Sequence, residues 1–183
     1  MDSAEQRFTQ LYERHYDAVH RYVVRRVVGI DVADVTAEVF LVAWRRLADI
    51  PVGAELPWLY RSASFVLANE YRGQSRGQRL TERVAGEPDG RQAADHADEV
   101  VDRLAVTAAF DRLPSADQEV LRLVAWERCD PGAAAKALGC SRATFTMRLF
   151  RARRRLREQL KTSTATDRVA VQTAQLSVAR RGG

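Results

Sequence analysis

The stretch that most limits what this chain can fold into is Asp130 to Leu160, DPGAAAKALGCSRATFTMRLFRARRRLREQL. Asp130 followed by Pro131 is a helix start, because the carboxylate can cap the first N–H groups and proline lacks a donor that would be orphaned there anyway. A short Ala-rich segment follows, and Gly139 can take the left-handed conformation that ends it. Ser141 then offers a hydroxyl as the N-cap of a second helix. Short helix, tight turn and long helix in this order predict a helix-turn-helix.

In the second helix Phe145, Leu149, Ala152, Leu156 and Leu160 recur at three- and four-residue steps and define one apolar face. Arg142, Arg148, Arg151, Arg153, Arg154, Arg155 and Arg157 occupy the other sides. Seven arginines in sixteen residues after a capped turn point to a polyanion, and specifically to DNA: Arg142, Thr144, Thr146 and Met147 would reach base edges, and the later arginines would hold phosphates.

Charge is distributed to match. The net charge of +5 divides into +1 for residues 1–80, −4 for 81–103, +6 for 104–161 and +2 for 162–183. The basic excess is local, which favours one polyanion site over general surface adhesion. With 183 residues, 46% of them hydrophobic, two small helical domains fit the chain best. The expected organisation is all-α: a helical bundle over 1–80, a flexible acidic linker over 81–103, the helix-turn-helix domain over 104–161 and a disordered tail over 162–183.

Within the first domain, Phe8, Leu11, Tyr12, His15, Val19, Tyr22 and Val23 predict an amphipathic helix that ends near Gly29, with His15 half-buried on its apolar side. Asp31 predicts the cap of a second helix with a core stripe of Val35, Val39, Val42 and Ala43. That helix carries more apolar surface than one stripe needs, so it sits centrally in a bundle or docks a partner. Pro57 predicts the start of a third helix, closed by Gly73, in which Trp58, Tyr60, Phe65 and Tyr71 stand among Arg61, Arg72, Arg76 and Arg79. Aromatics beside arginines suit a surface that stacks unpaired bases, and they also suit plain core packing. Helical order is expected to resume near Val100 and to stop at Pro114, with Ser115 and Gln118 forming a capping box for the next helix.

Other chemistries find no support in the sequence. Cys129 and Cys140 are the only cysteines and lack partners for a four-ligand zinc site, so both read as packing residues; no metal or cofactor is expected. No phosphate-binding glycine loop and no nucleophile with its base occurs at motif spacing, so an enzyme is not expected. No signal peptide and no bilayer-length apolar run is present, which predicts a cytoplasmic protein without membrane insertion.

Three segments in order, DVADVTAEVFLVAWR, LPWLYRSASFVLANEYR and AFDRLPSADQEVLRLVAWERCDPGAAAKALGCSRATFTMRLFRARRRL, resemble regions 2 and 4 of the extracytoplasmic-function (ECF) sigma factors, the two-domain members of the sigma-70 family. The resemblance covers roughly residues 5–76 and 104–160. It implies a specificity subunit of RNA polymerase that does no bond chemistry, docks on core polymerase (beta and beta-prime subunits), opens promoter DNA and answers to an anti-sigma factor. It implies polymerase docking by Asp34, Glu38, Phe40, Leu41 and Trp44, with contact to the minus-ten element from the helix that holds Trp58, Arg61, Phe65, Asn69 and Arg72. Contact to the minus-thirty-five element falls to Ser141, Arg142, Thr144, Thr146, Met147, Arg148, Phe150, Arg151 and Arg154. Ala37 replaces the family's usual Gln in the polymerase-docking helix and removes one polar contact, Ala133 stands where an acidic residue is common, and Ser64, Phe65, Asn69, Thr146 and Met147 differ at promoter-reading positions, so the family's promoter preferences do not transfer. Two other readings are a stand-alone helix-turn-helix regulator and a degenerate sigma-like interaction protein.

Overall fold

The structure is a computed structural model that describes residues 3–78 and 97–179, with side chains described for 3–73 and 104–162. Helices α1 (Ser3–Val24), α2 (Val32–Arg45), α3 (Glu55–Gln78), α4 (Ala97–Asp111), α5 (Ser115–Ala125), α6 (Pro131–Ala137) and α7 (Arg142–Ala179) account for the described residues, with one 3-10 turn at Leu47–Asp49 and no strand among them. The all-α expectation holds. None of the described helices is long and apolar enough to cross a membrane.

The described residues fall into two compact units. One joins α1, α2 and α3 with the segment Trp126–Arg142, and the other joins α4 and α5 with the chain from Ala143 onward.

In the first unit α1, α2 and α3 pack on one another, and α3 also packs on α6. The buried stripe of α1 is Leu11, Val19, Tyr22 and Val23. The helix stops at Val24, earlier than the expected end near Gly29. A tertiary contact explains this: the Tyr71 hydroxyl donates to the Arg26 carbonyl (2.7 Å) and accepts from the Val28 N–H (3.2 Å), which holds the chain in a turn. Asp31 caps α2 as predicted, accepting from Ala33 N–H (2.7 Å) and Asp34 N–H (3.2 Å). Val35, Val39 and Ala43 are buried, joined by Thr36 and Phe40, while Val42 is half-buried.

Helix α3 begins two residues before Pro57 and runs past Gly73. The Ala54 carbonyl accepts from Trp58 N–H at 3.2 Å, so Pro57 falls inside the first turn, where no donor is missed. Gly73 has open space around it, and a glycine inside a helix costs only about 1 kcal/mol relative to alanine. Leu59, Tyr60, Ala63, Val66 and Leu67 form its buried side, with Tyr60 stacked on Tyr22 at a centroid distance of 4.7 Å.

In the second unit Ala109, Phe110, Leu113, Val120, Leu121, Leu123, Phe145, Leu149 and Ala152 are buried. Helix α4 begins at Ala97, three residues ahead of Val100 and inside the segment expected as linker; residues 79–96, with the rest of that linker, lie outside the described residues. The capping box does not form. Ser115 is the first helical residue, and Gln118 Nε2 instead donates to the carbonyls of Asp111 (3.3 Å) and Leu113 (3.0 Å), which closes the end of α4. The tail expected to be disordered from Thr162 continues α7 to Ala179, and the stretch contains no glycine or proline to stop it. Residues 180–183 lie outside the described residues.

Candidate functional site

The turn of the helix-turn-helix forms as its sequence predicts. Asp130 accepts from Gly132 N–H (2.7 Å) and Ala133 N–H (3.0 Å), and these bonds, Ala133 first, hold its carboxyl below the usual aspartate range. Helix α6 ends with Gly139 N–H bonded to the Lys136 carbonyl (3.1 Å) and Cys140 N–H to the Ala135 carbonyl (3.0 Å), the paired bonds of a Schellman cap. Gly139 takes φ +62°, and Ser141 stands immediately before α7.

Helix α7 buries Phe145, Leu149 and Ala152, with Leu156 half-buried beside them. All nine residues assigned to the minus-thirty-five element, Ser141, Arg142, Thr144, Thr146, Met147, Arg148, Phe150, Arg151 and Arg154, are exposed. Met147 at 56% and Phe150 at 62% exposure leave apolar groups among the arginines, suited to contact with base methyls. Arg154 pairs with Glu158 at 3.0 Å, but both side chains are exposed, so a phosphate can displace the carboxylate at little cost. Arg155 departs from the phosphate-holding expectation. Its Nη1 donates to the carboxylate of buried Asp117, which fastens α7 to α5.

On α3 the residues assigned to the minus-ten element recur at 58, 61, 65, 69 and 72, steps of three and four that make one helix face. Arg61, Phe65, Asn69 and Arg72 are exposed and Trp58 is half-buried; Phe65 reaches 57% exposure. Arg61 lies over the Phe65 ring at 5.8 Å and Arg72 donates to Asn69 Oδ1 at 2.6 Å, so cation, ring and amide sit in one row. The other two aromatics of the segment belong elsewhere. Burial pushes the Tyr60 phenol well above its ordinary range, with Glu127 adding to the effect, and Tyr71 ties down the turn after α1. Arg76 lies outside the residues with described side chains and Arg79 outside the described residues altogether.

The residues assigned to polymerase docking divide between two sides of α2. Phe40, Leu41 and Trp44 line a groove of about 370 Å³ with Phe8, Tyr12, Tyr16, Ala33 and Ala37. Phe40 is only 3% exposed and forms its floor, 4.8 Å from the Tyr12 ring, while Leu41 and Trp44 are 40% and 43% exposed. Asp34 and Glu38 instead line a polar cleft with Asp31, Asn69 and Glu70. The aromatic wall was open to sequence reasoning but not found by it: Phe8, Tyr12 and Tyr16 recur at four-residue steps. His15 is half-buried as expected, and desolvation lowers its pKa, opposed by Glu55. No group of acidic, histidine or cysteine side chains among the described residues is placed to hold a metal.

Two family profiles match the chain, sigma-70 region 2 over residues 11–77 and sigma-70 region 4 over residues 103–156. Among solved structures, the sigma factor RpoE of Bartonella quintana, in complex with the anti-sigma factor NepR, is similar at 22% identity and TM-score 0.65, over 84% of this chain and 96% of that one. CnrH, solved with the cytosolic domain of CnrY, is similar at 26% identity and TM-score 0.54, over 87% of this chain and 95% of that one. No curated protein sequence matches. An all-α chain with a helix-turn-helix and both matched regions defines a transcription-initiation factor. The chain belongs to the sigma-70 family and is a sigma factor of the ECF type. Neither the stand-alone regulator nor the degenerate interaction protein is favoured.

Proposed function

We propose that this sigma factor docks on core RNA polymerase through α2, melts and reads the minus-ten element with α3, and reads the minus-thirty-five element with α7. The observation that carries the reading is the succession of both sigma-70 regions on one chain. The row Arg61, Phe65, Asn69 and Arg72 supports strand capture, because a ring stacks any base and the cations hold its phosphates. The exposed arginines of α7 support duplex binding. Tethering two readers on one chain raises the effective concentration of the second once the first has bound.

On this reading residues 1–80 form the region 2 domain, 81–103 the linker and 104–161 the region 4 domain. The factor does no bond chemistry and works in the cytoplasm, on the nucleoid when bound to polymerase. The groove beneath Leu41 and Trp44 takes apolar side chains of the largest polymerase subunit, while Asp34 and Glu38, in the polar cleft on another side of α2, meet its basic groups. An anti-sigma partner is also proposed, supported by the RpoE structure, which was solved with one. Co-elution with purified core polymerase on gel filtration tests the docking. The wild type is expected to co-elute and Leu41→Arg to run alone; a wild type that runs alone at micromolar concentration contradicts the proposal.

A further inference from the structure

Asn69 on α3 is an amide whose two ends are told apart by its neighbour. Arg72 Nη2 donates to Asn69 Oδ1 at 2.6 Å, and Arg72 Nε donates to the Ala68 carbonyl at 3.0 Å, so the guanidinium is braced on the helix that carries the amide. A guanidinium has donors and no acceptor. The atom it meets is therefore the amide oxygen, and the atom turned away is Nδ2. Asn69 is exposed, which leaves the Nδ2 donors open to a ligand.

The surroundings select what reaches those donors. Phe65 lies one turn earlier, exposed and with the Arg61 guanidinium 5.8 Å from its ring centroid, and side chains four apart on a helix are neighbours. A base stacked on Phe65 therefore brings its edge to Asn69. Asn69 also lines a cleft with Asp31, Asp34, Glu38 and Glu70. Four carboxylates repel a phosphate oxygen, so a neutral base edge is the acceptor that fits.

An asparagine with both ends available reads adenine, Nδ2 giving to N7 and Oδ1 taking from N6. Arg72 sets a cation against Oδ1, and an amino group approaching the remaining lone pair meets positive charge. What is left to recognise a base is a donor. We propose that Asn69, oriented by Arg72, selects a keto base in the minus-ten strand, guanine or thymine, against adenine and cytosine. Guanine O6 and thymine O4 are acceptors at the position where adenine and cytosine carry an amino group, and an amino group there would face Nδ2 donor to donor. The cation on Oδ1 also polarises the amide and strengthens its N–H groups. Arg72 is a positioning residue in this choice, because it acts on the base through Asn69. The inference rests on the strand capture proposed for α3 and goes beyond it by naming the class of base.

The test uses the full chain bound to core polymerase and a pool of single-stranded DNA with six randomised positions, the retained strands being sequenced and aligned. Wild type is expected to favour guanine or thymine over adenine and cytosine roughly tenfold at one position. Asn69→Asp keeps a bond to Arg72 and turns an acceptor outward, so the preference at that position should invert toward adenine and cytosine. Arg72→Met releases Oδ1, so adenine should rise there to match guanine. Both side chains are exposed, and thermal melts of both variants should match wild type. Equal retention of all four bases by wild type overturns the proposal, and so does Asn69→Asp that loses strand affinity with no exchange of bases. Failure of the sigma reading looks different: the complex then retains no more of the pool than core polymerase alone, which overturns the base choice along with it.

Discussion

Helices α3 and α7 are built alike and expose different chemistry. Each buries an apolar stripe, with Leu59, Ala63, Val66 and Leu67 on α3 and Phe145, Leu149 and Ala152 on α7. What α3 leaves outside is a row of arginine, phenyl ring and amide, whereas α7 leaves seven arginines with Met147 and Phe150 set among them. Rings gain from unstacked bases and little from a closed duplex; arginines gain from the phosphates of either. Under the proposed function the difference suits α3 to strand capture and α7 to duplex anchoring, and it makes the two halves separable by experiment.

The largest effect is expected from Phe145→Ala. Its ring is fully buried in the second unit, so its loss should cost about 3–5 kcal/mol and remove duplex binding together with the fold. Thermal melts and mobility shifts of the full chain read both. Phe65→Ala should sharpen the contrast: its exposed ring contributes nothing to the core, so melts stay unchanged while single-strand affinity falls by about 1–3 kcal/mol per lost stack. A fluorescent minus-ten strand titrated into the polymerase complex measures it, and the salt dependence should not move.

Asp117→Asn probes how α7 is held. Its hydrogen bond to Arg155 is charge-assisted but half-exposed on the arginine side, so about 1.5 kcal/mol of stability should be lost in a urea titration. Arg151→Ala is the counterpart to Phe65→Ala. Stability should be unchanged, while the log-log salt slope of duplex binding flattens by about 0.9 for the one phosphate released. A slope that stays constant would remove Arg151 from the interface.

The smallest effect is a pH dependence in the first unit. Burial raises the Tyr60 phenol above its ordinary value, so the unfolded chain loses that proton at lower pH than the folded one. Above about pH 10 the folded state therefore binds more protons, and stability should fall as pH rises. Melts across that range should show the slope, and Tyr60→Phe should flatten it.

What was legible in the sequence is what short-range geometry decides. The caps at Asp31 and Asp130, the left-handed Gly139 and the buried stripe of α7 each depend on residues within a turn or two, and each stands as predicted. The misses come from contacts between residues far apart. The hydroxyl that ends α1 early comes from Tyr71, 45 positions from the carbonyl it binds. The carboxylate that holds Arg155 lies 38 positions away, and Glu127 pairs with arginines more than a hundred positions distant. No local pattern marks these residues, because their spacing is set by how helices pack and not by the period of any one helix. For the same reason the docking residues of α2 read as one set in sequence but line two different grooves.

Run-off transcription with purified core polymerase on genomic promoter fragments, with and without this protein, tests the central claim most directly. The account predicts discrete new start sites, each preceded by the same pair of elements. Specific binding to duplex DNA with no new start site would contradict it.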